Sequence, residues 1–261
     1  MAEDLRVSLI QSPIVWENRA ANLDAYGRRL QRLAGRTDVA VLPETFTTGF
    51  SMQAEMLADT PEGPTMDRVR SWASRFGMAV TGSFIATVGG RFYNRAFFVT
   101  PQGETWYYDK RHLFRMAAED KHFSAGRQQV IASYKGWRIG LQVCYDLRFP
   151  VWSRNVANAY DLLIYVANWP EPRIQVWKSL LPARAIENIA YVAGVNRTGV
   201  DGKGFVYPGC SMLFGPRGDK LADAGRREYA SPTVGLKKDA LTAFRTKFPA
   251  DKDADAFSID L

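Results

Sequence analysis

The chain has 261 residues, 46% hydrophobic and 23% charged, with a net charge of +7, which fits one large soluble globular domain or two small ones. Its basic residues are spread along the chain, and the pairs Arg226-Arg227 and Lys237-Lys238 lie far from any aromatic-rich recognition motif, so composition argues against a nucleic-acid groove and leaves only steering of small anions. The acidic N-terminus Met1-Ala2-Glu3-Asp4, the lack of a bilayer-length apolar run and the presence of two cysteines predict a cytoplasmic protein with no membrane span and no disulfide scaffold.

The elements read as follows in chain order. Leu5–Ile10 alternates like a strand, and Leu23, Tyr26, Leu30 and Leu33 recur at helical spacing between Glu17 and Gly35. Val39–Leu42 reads as a buried strand that ends at Pro43-Glu44. Met66–Phe76 is helical, and Met78–Ile85, Phe92–Thr100 and Glu104–Tyr108 read as strands with turns at Gly89-Gly90 and Pro101-Gln102-Gly103. Val130–Tyr134 and Trp137–Val143 flank a turn at Lys135-Gly136. Pro150–Ala159 is predicted helical and Asp161–Ala167 a strand.

Pro172 opens a helix over Arg173–Asn188, with Trp177, Leu180, Leu181 and Ala185 toward a core. Strands follow at Ala190–Val195, Ser211–Phe214 and Tyr229–Gly235, then a short helix from Lys238 and a polar end. With helices among many strands and no linker or repeat, the expectation is a single α/β domain over 1–261. Its core spans about 5–236 and its C-terminal extension 237–261.

Three polar residues follow strand-like runs in the same manner: Glu44, Lys110 and Cys144. If their strands are neighbours, a carboxylate, an ammonium and a thiol meet in one pocket. Each suits a task in acyl transfer at a C–N bond. Glu44 would take the thiol proton and return it to the leaving amine. Cys144 would attack the carbonyl carbon and form a thioester. Lys110 and the backbone N–H of Tyr145 would stabilise the oxyanion. Singly, each has a plainer explanation: a cysteine packed as a small hydrophobe, a loop glutamate, a solvated lysine.

The words around them sharpen the choice. Leu42-Pro43-Glu44-Thr45-Phe46, Tyr108-Asp109-Lys110-Arg111-His112-Leu113-Phe114 and Gln142-Val143-Cys144-Tyr145-Asp146-Leu147-Arg148-Phe149-Pro150 occur in that order. Together they resemble the three signature segments of the nitrilase (carbon–nitrogen hydrolase) superfamily, and the resemblance runs from Leu5 to about Leu236. It implies a four-layer α-β-β-α sandwich, a homodimer, a Glu44–Lys110–Cys144 triad and no cofactor or metal. It also implies a second glutamate, Glu119, in Glu119-Asp120-Lys121-His122-Phe123-Ser124-Ala125-Gly126, that orients Lys110 and the substrate. The alternative for Glu119 is an exposed loop acid.

Asn168-Trp169-Pro170-Glu171-Pro172-Arg173, Ala183-Arg184-Ala185-Ile186-Glu187-Asn188 and Asn196-Arg197-Thr198-Gly199-Val200-Asp201-Gly202 are similar to the ω-amidase branch. Those enzymes cleave the terminal amide of 2-oxoglutaramate and 2-oxosuccinamate. Such a substrate needs a cation for its remote carboxylate and apolar walls for its chain. The candidates are Arg173 for the cation, Phe46, Phe149 and Trp169 for the walls, and Asn168 as a further contact. The alternative for Arg148 is a pair with Asp146, and Trp177 is expected in the core rather than the pocket. The sequon Asn196-Arg197-Thr198 has no visible secretory route to serve it.

Rival readings are a nitrilase or an N-carbamoyl amino-acid amidohydrolase, which share the triad, and a non-enzymatic thiol redox or binding module. A zinc hydrolase is disfavoured because His112 and His122 lie ten positions apart and neither Cys144 nor Cys210 has a C-x-x-C partner. No G-x-S-x-G occurs, and Gly202-Lys203-Gly204 lacks the rest of a P-loop.

Overall fold

The computed structural model describes residues 4–259, so the acidic leader reading at Met1–Glu3 lies outside the described residues. The strands are β1 (Leu5–Leu9), β2 (Val39–Val41), β3 (Ala79–Val88), β4 (Arg91–Val99), β5 (Thr105–Asp109), β6 (Ile131–Tyr134) and β7 (Trp137–Val143). They continue with β8 (Leu162–Ala167), β9 (Tyr191–Asn196), β10 (Thr198–Val200), β11 (Val206–Pro208), β12 (Met212–Phe214), β13 (Lys220–Asp223) and β14 (Thr233–Leu236). The helices are α1 (Arg19–Leu33), α2 (Ala54–Leu57), α3 (Pro64–Phe76), α4 (Glu119–His122), α5 (Pro150–Ser153), α6 (Ile174–Asn188) and α7 (Lys238–Lys247).

Two mixed six-stranded sheets form, in the orders β14-β1-β2-β3-β4-β5 and β13-β12-β9-β8-β7-β6. Each has a parallel trio, β1-β2-β3 and β7-β8-β9, extended by antiparallel strands. The alternation of side chains along a strand builds the layers. Val39 and Val41 join Ile164 and Val166 in a core between the sheets. Ala40 and Leu42 point the other way, against Tyr26 and Leu30 of α1 and Met66 and Trp72 of α3. Leu163 and Tyr165 likewise face Trp177, Leu181 and Ala185 of α6. The result is an α-β-β-α sandwich with three apolar seams. The α6 seam is tight: a Cβ on Gly194 of β9 would come within 2.5 Å of Leu181 Cδ1 and 2.7 Å of Trp177 Cζ2, so glycine lets helix and strand close.

Two expected elements are shorter than the sequence suggests. The helix over Pro150–Ala159 stops at Ser153, because Asn155 holds a turn: its side chain donates to Tyr160 O and Asn188 O and accepts from Tyr160 N. A 3₁₀ turn, Val156–Asn158, follows. The strand expected over Tyr229–Gly235 is continuous only over Thr233–Leu236; Ala230 bridges Gln11 on its own, and Pro232 between them has no N–H to give the ladder. No helix among the described residues is long and apolar enough to cross a membrane.

Candidate active site

The parallel strands of both sheets end at one rim, where a doubly wound sheet opens a crevice. Glu44 lies three residues past β2, Lys110 directly follows β5, Cys144 directly follows β7, and Asn168 directly follows β8. The structure brings these four together with Glu119 of α4.

Glu44 is fully buried and its carboxylate is held on both oxygens. Oε1 accepts from Asn94 Nδ2 at 2.7 Å and Lys110 Nζ at 3.1 Å. Oε2 accepts from Asn168 N at 2.7 Å and Asn168 Nδ2 at 3.3 Å. Lys110 Nζ also lies 2.9 Å from each oxygen of Glu119 and 5.0 Å from the Phe50 ring centroid. Burial alone would pull the Lys110 pKa down, but Glu119 and then Glu44 outweigh it and hold the amine as an ammonium. Glu119, fully buried, is no exposed loop acid: its Oε2 also accepts from Phe114 N at 2.5 Å, which ties the loop after Lys110 to the lysine. Burial pushes the Glu119 pKa up, Lys110 opposes this, and Glu44 adds to the rise.

Cys144 sits in the left-handed region at φ 46°, which costs a non-glycine residue strain and turns its side chain out of the strand line. Its Sγ is 3.9 Å from Asn168 O. Burial, followed by the charge of Glu44, pushes the thiol pKa well above its ordinary value, and Lys110 offsets only part of this. The resting sulfur is therefore a neutral thiol beside a carboxylate. The turn that carries it is braced from below: Arg184 of α6 donates to Leu147 O at 2.7 and 3.2 Å.

Glu44, Lys110, Cys144 and Asn168 line a cavity of about 340 Å³, with Glu119 beneath Lys110. Tyr145, Asn168, Trp169 and Arg173, expected as substrate contacts, all line it. Two other candidates do not. Phe46 is fully buried on the helix side of the first sheet, 5.4 Å from the Tyr26 ring and 6.0 Å from that of Phe97. The chain reverses at Thr45 (φ 42°), which sends Glu44 toward the site and Phe46 away from it. Phe149 stacks on His112 at 3.7 Å and lines a neighbouring groove instead.

Arg148 does not take the alternative open to it, a pair with Asp146. Asp146 is occupied by Tyr108 Oη at 2.7 Å, the His112 backbone N–H at 2.9 Å and Val143 N at 3.0 Å, so it does not pair with Arg148. The Arg148 guanidinium lies 5.8 Å from the Trp169 ring centroid on the cavity wall, and that of Arg173 lies 4.9 Å from the Phe114 ring centroid. Among the described residues neither makes an ion pair. Trp177 is core, as expected, with Nε1 donating to Cys210 O at 2.8 Å. Asn196 of the sequon is fully buried, and its amide donates to Trp169 O and Gly209 O.

The sequence reading missed Phe50, Phe114, Asn94 and the hairpin between β10 and β11, which brings Asp201, Lys203, Phe205 and Tyr207 to the cavity. Asp201 accepts from Lys203 N, Phe205 N and Tyr207 Oη, which fixes the hairpin and leaves Lys203 to face the cavity. The only available signal was Gly202-Lys203-Gly204, a basic residue in a tight turn.

Comparison with known proteins agrees with this geometry. Residues 6–242 match the carbon-nitrogen hydrolase family. The chain is 46% identical to the omega-amidase YafV of Escherichia coli (strain K12), over 98% of each chain. It is 32% identical to the 2-oxoglutaramate amidase of Bacillus subtilis (strain 168), over 85% of this chain and 87% of that one. Among solved structures it superposes with a TM-score of 0.96 and 44% identity on a CN-hydrolase superfamily protein from Xanthomonas campestris that carries an arsenic adduct in its active site, covering 99% of this chain and 100% of that one. An amidase mutant from Nesterenkonia sp. AN1, with acrylamide added to its active-site cysteine, superposes with a TM-score of 0.81 at 27% identity, over 95% and 99%. The chain belongs to the carbon-nitrogen hydrolase family and is an amide-hydrolysing enzyme.

Proposed function

We propose that the enzyme hydrolyses the terminal amide of small ω-monoamides of 2-oxo dicarboxylic acids, 2-oxoglutaramate and 2-oxosuccinamate, through a thioester on Cys144. The observation that carries this is a buried Glu44–Lys110–Glu119 cluster beside Cys144, at a cavity whose wall holds two guanidinium groups, those of Arg148 and Arg173, that make no ion pair among the described residues. The omega-amidase and 2-oxoglutaramate amidase relatives support the substrate class.

The chemistry follows from the protonation states. Cys144 Sγ attacks the amide carbon as its proton passes to Glu44, so no free thiolate has to persist in the buried site. Lys110 donates to the oxyanion of the tetrahedral intermediate, with the Tyr145 N–H as a second donor. When the C–N bond breaks, Glu44 returns the proton to nitrogen and ammonia leaves. Glu44 then takes a proton from water, which attacks the thioester, and the thiol is restored as the free carboxylate departs. Glu119 touches neither carbon nor sulfur in this scheme and acts by holding Lys110. Arg173 and Arg148 take the remote carboxylate and 2-oxo oxygen, and Trp169 and Phe114 wall the short chain.

The test is an ammonia-release screen over 2-oxoglutaramate, 2-oxosuccinamate, glutamine, simple amides, a nitrile and an N-carbamoyl amino acid. Preference for the two 2-oxo ω-amides supports the reading, and preference for the nitrile or the carbamoyl compound refutes it. Cys144→Ala abolishes turnover with the fold intact, and a quenched wild-type sample carries the acyl mass on Cys144 rather than Cys210. We further infer that the whole chain works as one hydrolase domain in a cytoplasmic homodimer. Val151, Val156 and Ile186 are exposed apolar side chains available to a second copy. Light scattering at micromolar concentration tests the dimer.

A further inference from the structure

Asn94 lies in β4 among the core residues Ala96, Phe97 and Phe98, yet it is only 1% exposed. A buried amide in such a strand must have its hydrogen bonds met. Ser83, on the adjacent β3, donates its hydroxyl hydrogen to Asn94 Oδ1 at 2.9 Å. Ser83 Oγ in turn accepts from Thr45 N at 2.8 Å. With its oxygen engaged by a donor, the Asn94 amide is locked with its NH₂ toward the catalytic cluster. That group reaches Glu44 Oε1 at 2.7 Å and Glu119 Oε1 at 3.4 Å.

Two carboxylates compete here for one ammonium, Lys110. Among the described residues, Asn94 is the neutral side chain whose donor group reaches both. We propose that Asn94 is a positioning residue that fixes the Glu44 carboxylate toward Cys144, through a relay running Thr45 N–H to Ser83 to Asn94 to Glu44. The inference rests on the reading of Glu44 as the proton acceptor. The relay begins one residue after Glu44 and returns to its side chain, so backbone turn and carboxylate orientation are set together. The amide's donor end meets two titratable groups from different segments, Glu44 and Glu119, and both also hold Lys110. Tyr207 of the β10–β11 hairpin lines the same cavity as Glu44, with its hydroxyl donating to Asp201.

The test uses two substitutions with opposite pH behaviour. Asn94→Ala removes the donor at every pH, and kcat falls about ten- to hundredfold while KM stays within about twofold, the size of a lost hydrogen bond to a charged group. Asn94→Asp keeps the shape and the acceptor for Ser83, but its carboxyl donates to Glu44 only when protonated. Its activity therefore rises relative to Asn94→Ala as pH falls, and a basic limb appears that Asn94→Ala lacks. A merely structural role moves neither the kcat-to-KM split nor that limb. A kcat for Asn94→Ala within about threefold of wild type, or an Asn94→Asp profile parallel to that of Asn94→Ala, overturns the inference. If circular dichroism shows either variant unfolded, Ser83→Ala carries the test: it leaves Asn94 in place but unheld, and kcat drops about three- to tenfold, whereas an unchanged kcat overturns the relay. Cys144→Ala separates the two claims. Loss of turnover there, with full turnover in the Asn94 variants, sinks this inference and leaves the nucleophile standing.

Discussion

Replacing Glu119 by glutamine tests the division of labour in the cluster. Glu119 accepts from Lys110 Nζ at 2.9 Å on both oxygens and from Phe114 N at 2.5 Å. Glutamine keeps one acceptor oxygen, and because Nζ is 2.9 Å from both carboxylate oxygens its NH₂ meets the ammonium, donor against donor, in either orientation, and the Phe114 N–H as well in one of them. The variant thus loses charge-assisted bonds worth about 1.5–3 kcal/mol each and leaves one donor unmet. With two such bonds weakened, Lys110 drifts toward Glu44 and away from the oxyanion position, and kcat falls roughly 10²- to 10³-fold. KM changes little, because Glu119 lies beneath the lysine and not on the cavity wall. Steady-state kinetics with 2-oxoglutaramate read the loss, and thermal denaturation confirms that the assay runs on folded enzyme. A kcat within about threefold of wild type would mean that Lys110 needs no second carboxylate, and the positioning role would fall.

Phe46→Ala, in the aromatic cluster with Tyr26 and Phe97, costs about 3–5 kcal/mol in denaturant unfolding and leaves KM unchanged; a KM effect without a stability loss would return Phe46 to the cavity. Arg173→Ala and Arg148→Ala each reduce kcat/KM for 2-oxoglutaramate about tenfold or more and spare a simple aliphatic amide, and equal losses on both substrates remove the arginines from carboxylate binding. Asp38 is buried beside Arg6 and Lys135: burial pushes its pKa up, but those two cations win and hold it at about 2. Its folded pKa is below the unfolded one, so the stabilisation is fully present above the unfolded carboxylate range and is lost as pH falls toward 2. Asp38→Asn therefore costs about 1–2 kcal/mol near neutrality after allowance for solvent screening, and the gap to wild type closes in acid; a gap independent of pH contradicts the assignment.

The legible parts of this protein were those written in local sequence. A polar residue directly after an apolar strand lies at the strand's end whatever the tertiary arrangement, so Glu44, Lys110 and Cys144 could be placed before their meeting was seen. Direction was harder. Phe46 and Phe149 sit two and five residues from Glu44 and Cys144, but a positive φ at Thr45 and a 3₁₀ turn over Cys144–Arg148 decide which way they point. Neither turn carries a glycine at the deciding position. The alternative of an Arg148–Asp146 pair fails because Asp146 has better-placed partners, Tyr108 and the His112 N–H, distant in sequence. Asn94 left a faint trace, an amide within a strand bound for the core, whose meaning depends on Ser83 across the ladder. The residues of the ω-amidase-like segments divide in the same way. Arg184 and Asn196 brace the backbone beneath the site, while Asp201 reaches the cavity only because a hairpin folds over it.

The pairing of β1 with β14, Leu5 opposite Leu236, has a consequence for how the enzyme is made. The first sheet holds Glu44 and Lys110 but is finished by nearly the last strand-forming segment to leave the ribosome. The second sheet, which supplies Cys144 and Asn168, can complete its ladder from residues 131–223 before that. A nascent chain that ends before Leu236 therefore has a thiol-bearing sheet facing an unfinished partner, and long-range strand closure of this kind is slow. On refolding, ammonia release should recover later than secondary structure, at the step that docks sheet on sheet. The Cys144 thiol is thereby kept without its proposed base until the protein is whole.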